Sequence, residues 1–182
     1  MSDPDDHFFM TEAGQFIAGA HRYLSAARVL TDSDEWKNQG RMLQTPALHL
    51  LSHGVELLLK YPFIRLGRDQ DSVRKEYGHD LVRLWDASEN TSLRNEVFSA
   101  AALVWEQARE SGLWVNDDFS HEPNTVLSKA LADLAFLHGQ QSSYALRYTI
   151  RHPTSAPRPR FLVEAFGYVA ERVAMNPGYL ES

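Results

Sequence analysis

The sequence predicts an all-α protein, an antiparallel helical bundle of about five to six helices. Three observations carry that prediction. Apolar residues recur at three- and four-residue spacing in successive segments. Prolines stand just before several of these segments and glycines just after them. No stretch sustains strand alternation; residues 144–150 come nearest to it.

Taken in order, Ala13, Phe16, Ile17, Ala20, Tyr23, Leu24, Ala27 and Leu30 share one face of a first helix, which residues 31–34 end. A second helix opens at Thr45 and Pro46, a side-chain cap followed by a proline where its missing N–H is not needed. It runs toward Gly67 with a kink expected at Pro62. After a variable loop, a short third helix follows Gly78, His79 and Asp80. A fourth, residues 92–110, aligns Val97, Ala101, Val104, Trp105 and Ala108 and stops at Gly112. The fifth starts near Pro123, buries Val126, Leu127, Ala130, Leu131, Leu134 and Leu137, and ends before Gly139. The sixth, residues 161–175, does the same with Leu162, Ala165, Phe166, Val169 and Val173.

A chain of 182 residues fits one domain on the usual scale of roughly 100–200 residues per domain. We read residues 1–182 as a single helical domain, with 1–8 a mobile acidic terminus and 153–160 a stiff Pro/Arg-rich connector before the last helix. The absence of cysteine excludes a disulfide scaffold, a thiolate nucleophile and any cysteine-held metal or iron–sulfur centre. No run approaches the roughly 20 apolar residues that span a bilayer, so no membrane role and a cytoplasmic location are expected. The net charge of −6 argues against a protein that grips nucleic acid over its whole surface. Charge is uneven, however. Residues 139–163 hold Arg147, Arg151, Arg158 and Arg160 and no acid, a cationic island on an acidic chain.

The second helix is the least ordinary element. At 100° per residue His49, His53, Glu56 and Lys60 fall within about a 60° arc, while leucines and a valine cover most of the rest. Histidines one turn apart with a carboxylate beyond them suggest a metal-dependent site on this face. No third ligand is obvious, and the glutamate that would follow His49 in a zinc-protease helix is missing. A polar stripe that is solvated or lies at a subunit interface is the simpler reading. Asp80 reads as a helix cap. Asp117 and Asp118 read as solvated loop acids.

The string from Pro46 to Lys60, then Gly67, then Gly78-His79-Asp80-Leu81-Val82-Arg83-Leu84, resembles the HEPN superfamily of helical bundles. Those domains carry a Glu-x-x-x-Lys helix followed by a Gly-His-Asp-Leu element. The likeness covers residues 45–86 in motif and the remainder in helix order. It implies a homodimer. In active members, which need no metal or other cofactor, it also implies a composite ribonuclease site of Arg, four to six residues, then His. Arg147 and His152 meet that spacing. His152 would then move a proton at the ribose 2′-OH or leaving oxygen, and Arg147 would hold the charge developing on phosphate. Tyr148 stands where active members place a polar residue, and Pro153 pushes His152 toward extended backbone. We therefore expect a binding or regulatory protein that contacts RNA or a nucleotide through Arg151, Arg158 and Arg160. A metal-independent endoribonuclease of toxin or defence type is the alternative.

Overall fold

The computed structural model describes residues 4–112, 114, 119–146 and 156–181. Among them the chain is 83% helical without strands, and eight helices, six of them of at least seven residues, pack as a bundle. They are α1 (Pro4–Phe9), α2 (Glu12–Asp32), α3 (Asp34–Arg65), α4 (Gln70–Tyr77), α5 (Leu81–Asp86), α6 (Thr91–Ser111), α7 (Pro123–His138) and α8 (Pro159–Met175).

Four boundaries differ from expectation. The N-terminus is helical from Pro4, because Phe8 and Phe9 pack on the core. Thr11 then caps α2, its Oγ1 accepting from the Gly14 N–H at 3.1 Å. The second predicted helix begins a full twelve residues before Pro46: Ser33 caps the Trp36 N–H at 3.0 Å, and the helix turns through a non-helical Gln39 (φ −140°, ψ 36°) before running on past Pro46 and Pro62. The break thus falls at Gln39 in a polar stretch, whereas Pro46 and Pro62 sit where buried neighbours hold the backbone in place. The expected loop after Gly67 contains α4, capped by Asp69, in which Val73 is buried and Tyr77 packs partly buried one turn on; two such side chains in eight residues leave too little periodicity to read. Finally, Pro159 and Arg160 form the first turn of α8 rather than the end of a connector, and only 156–158 of that connector are non-helical among the described residues. Residues 144–146 lie in a turn, so the described part of the strand candidate is not a strand.

Helices α2 and α3 form an antiparallel hairpin. Gly19 meets Leu57 and, one turn on, Tyr23 meets His53, so one number rises as the other falls. Helix α8 lies antiparallel on the other side of α2, with Arg28 bridged to Glu164 at 3.1 Å and Asp32 to Arg160 at 2.9 Å. Helix α6 packs on α8, and α7 closes the bundle against α6, α5 and α3. The shared core comprises Ile17, Leu51, Leu58, Leu59, Val97, Leu131, Leu162 and Phe166, among others, all but inaccessible to water. Asn90 is buried within it and donates through Nδ2 to the carbonyls of Leu59 and Leu84, each at 2.8 Å, tying α3 to the end of α5.

Gly54 sets the closeness of the hairpin: a Cβ there would lie 2.8 Å from Leu24 Cγ and 3.2 Å from its backbone nitrogen. Alanine is the better helix former by about 1 kcal/mol, but forcing α2 and α3 apart costs about 1–3 kcal/mol. Gly54→Ala is expected to lower the unfolding free energy by up to about 2 kcal/mol, read from the urea midpoint at unchanged slope. A more stable variant would show that the two helices have room to spare.

Candidate functional site

Glu56 lies one turn before Lys60 on the buried side of α3, and both side chains are almost wholly out of water. The Lys60 ammonium donates to Glu56 Oε1 at 2.6 Å. Two imidazoles complete the shell. His79, held by the tight α4–α5 turn in which Gly78 takes φ +56°, faces the carboxylate with Nδ1 at 2.9 Å from Oε2. His138, in the last turn of α7, presents Nε2 to the same oxygen at 2.8 Å. An ionised carboxylate only accepts, so both facing ring nitrogens carry N–H. The two rings meet edge to face at 5.6 Å. Burial by itself would raise the Glu56 pKa. The His138 hydrogen bond, the charge and N–H of Lys60 and the His79 hydrogen bond outweigh it and hold the carboxyl well below its usual range.

The stripe expected from the sequence therefore divides. Glu56 and Lys60 form a buried ion pair, whereas His53 packs edge-on against Tyr23 at 4.4 Å and His49 is half-buried further up the helix. Among the described residues, the side chains that converge as potential metal ligands are Glu56, His79 and His138, not His49 and His53. The reason is geometric. His53 and His49 lie about one and two turns back along α3 from Glu56, and His53 there meets Tyr23 of α2. Asp80 is a cap, as expected, its Oδ1 accepting from the Arg83 N–H at 3.0 Å. His138 escaped the sequence reading, although a signal existed: it continues the inward stripe of Leu127, Leu131 and Leu134 at a position where an apolar residue is the rule.

A second feature is a cleft of about 1080 Å³ between the start of α3, α7 and the start of α8. Its floor is aromatic: Trp105, Trp114 and Phe161 lie within 5.9 Å of one another by ring centroid. Trp36 lines it from the start of α3, and Lys37, Lys129, Arg158 and Arg160 lie around it. The cations are partly compensated. Lys37 bridges Asp34 at 2.8 Å, Lys129 bridges Asp133 at 3.1 Å, and Arg160 bridges Asp32 at 2.9 Å. Arg160 of the cationic island is thus met by Asp32, because the end of α2 lies antiparallel to the start of α8. Arg147, Arg151 and His152 lie outside the described residues, as do Asp117 and Asp118.

The chain matches no protein-family model, no curated protein and no solved structure. No described helix is long and apolar enough to cross a membrane.

The depressed Glu56 pKa is also a statement about stability. Because the folded value lies below the ordinary 4.5, the stabilising contribution of Glu56 is fully present above pH 4.5 and is lost as pH falls toward the folded value. Glu56→Gln is expected to destabilise by about 3–5 kcal/mol at pH 7, since it leaves Lys60 buried without a counter-charge. The gap between parent and variant should narrow as pH is lowered from 4.5 to 2.5 in parallel urea melts. A constant gap would mean that the carboxylate is not the group titrating.

Proposed function

We propose that this chain is a HEPN-like helical domain that binds single-stranded RNA, or a nucleotide of the same base-and-phosphate chemistry, and acts by binding or regulation. One observation carries the reading: Arg158 and Arg160, from the cationic segment, line the same cleft as Trp36 and Trp114. Single-stranded nucleic acid is held by that pairing of side chains, cations on the phosphates and aromatic faces on the bases. The acids beside the cations do not preclude it. Exposed ion pairs contribute only about 0–1 kcal/mol, and a phosphate offers a guanidinium a competing bidentate partner. The family resemblance draws support from the meeting of its two motif pieces, since Glu56 and Lys60 of one and His79 of the other share a carboxylate. Arg147 and His152 remain the residues of the endoribonuclease alternative.

Fluorescence anisotropy with a labelled mixed-sequence RNA, and with ATP as competitor, tests the reading. Arg158→Ala and Arg160→Ala should each weaken binding and reduce the salt slope by about 1, with melting temperatures nearly unchanged. Trp36→Ala should weaken binding by about 5-fold to 100-fold through lost stacking. Binding that is absent, or equally strong in all three variants, would overturn the proposal. Shortening of the RNA in the presence of EDTA, lost in His152→Ala, would establish the cleaving alternative instead.

The resemblance also implies a homodimer, which we carry as part of the proposal. Light scattering is expected to give about 41 kDa, twice the 20.7 kDa chain. A value near one chain at micromolar concentration would remove any composite site.

A further inference from the structure

The geometry points to a mononuclear site for a borderline divalent cation, Zn2+ or a close relative, on Glu56, His79 and His138. The three ligands come from three separate parts of the fold: the middle of α3, the α4–α5 turn and the last turn of α7. Glu56 Oε2 lies 2.9 Å from His79 Nδ1 and 2.8 Å from His138 Nε2, and the three ligand atoms all fall within 4.8 Å of one another. An ion held tetrahedrally at about 2.0–2.2 Å by each requires separations of about 3.3–3.6 Å between ligand atoms, so side-chain shifts suffice. Two imidazoles with one carboxylate oxygen are a donor set that suits zinc, iron, cobalt or nickel and does not suit magnesium or calcium.

The surroundings fit this use. Lys60 holds the other carboxylate oxygen at 2.6 Å, which orients the group; Oε2 faces both histidines, and His79 Nδ1 also reaches Oε1 at 3.1 Å. The His79 side chain is 42% exposed and the other two ligands are buried, so an ion can enter from the His79 side and keep water in its remaining positions. On binding, each facing N–H gives way to a ring lone pair, and the proton moves to the opposite ring nitrogen. For His79 that nitrogen belongs to an exposed ring. For His138 it is Nδ1, a buried atom with no hydrogen-bond partner among the described residues, so placing the proton there costs affinity. The Lys60 ammonium opposes a second cation and limits the affinity. The site is independent of the aromatic cleft and of the RNA reading.

The test uses the full chain, dialysed against EDTA and then freed of it, titrated with Zn2+ by calorimetry and with Co2+ by visible absorption. One ion per chain is expected, with a Co2+ ligand-field band and a rise of about 5–10 °C in melting temperature when Zn2+ is at a hundredfold excess over its dissociation constant. His79→Ala, which alters the most exposed of the three ligands, is expected to fold and to lose at least tenfold in Zn2+ affinity together with the Co2+ band. Absence of binding to the parent, a fall in melting temperature on adding Zn2+, or equal affinity in parent and His79→Ala would each overturn the site. The last result would place the ion on surface histidines.

Discussion

A carboxylate taken out of water loses several kcal/mol of hydration unless donors replace it, and Glu56 is nearly inaccessible on the inner side of α3. Its donors are Lys60 on the same helix, His79 from the α4–α5 turn and His138 from the end of α7. Each lies far from at least one other in sequence, so the charge is satisfied only when α3, the turn and α7 are docked together. Apolar packing is tolerant of small slips; a buried charge with directional donors is not. The cluster therefore fixes how α7 sits on the hairpin of α2 and α3. Asn90 adds a second polar tie nearby, between the middle of α3 and the end of α5.

The aromatic cleft follows from a different constraint. Helix α3 continues backward beyond Pro46, and its first turns bring Trp36 and Lys37 to the same opening as Lys129 of α7 and the start of α8. Trp105 of α6 supplies the buried floor, packed on Phe161 at 5.3 Å. One side of the cleft is thus anchored in the core, and the other is built from exposed, mostly polar helix. The ion pairs around it are short-range and solvent-exposed, which makes them exchangeable for an anionic ligand. A binding surface of this kind is compatible with an acidic chain, because only the local field at the cleft acts on a phosphate within a Debye length of about 8–10 Å.

The helical class, α2, α5, α6, α7 and α8 were legible in the residues, since each but the short α5 has an apolar face of several turns, and caps such as Asp80 and Gly112 mark ends. Helix α4 was not legible, because eight residues with only Val73 and Tyr77 turned inward show too little of a period. The early start of α3 was hidden for a related reason: residues 34–45 are mostly exposed, so nothing in their pattern separates helix from loop. Helical α1 depends on Phe8 and Phe9 finding the bundle, a contact that local sequence does not encode.

For the candidate site, sequence alone determined that Glu56 and Lys60 share a helix face and that His79 begins a capped helix, because both facts are local and follow from 3.6 residues per turn and from side-chain capping. It suggested His49 and His53 as companions on the same grounds. Only the tertiary structure decided which histidines meet the carboxylate. His138 stands 82 residues from Glu56, and its place beside Oε2 depends on the docking of α7 against α3. Helical periodicity reports which side of a helix faces inward; it carries no information about what waits there, because that is set by packing between distant segments.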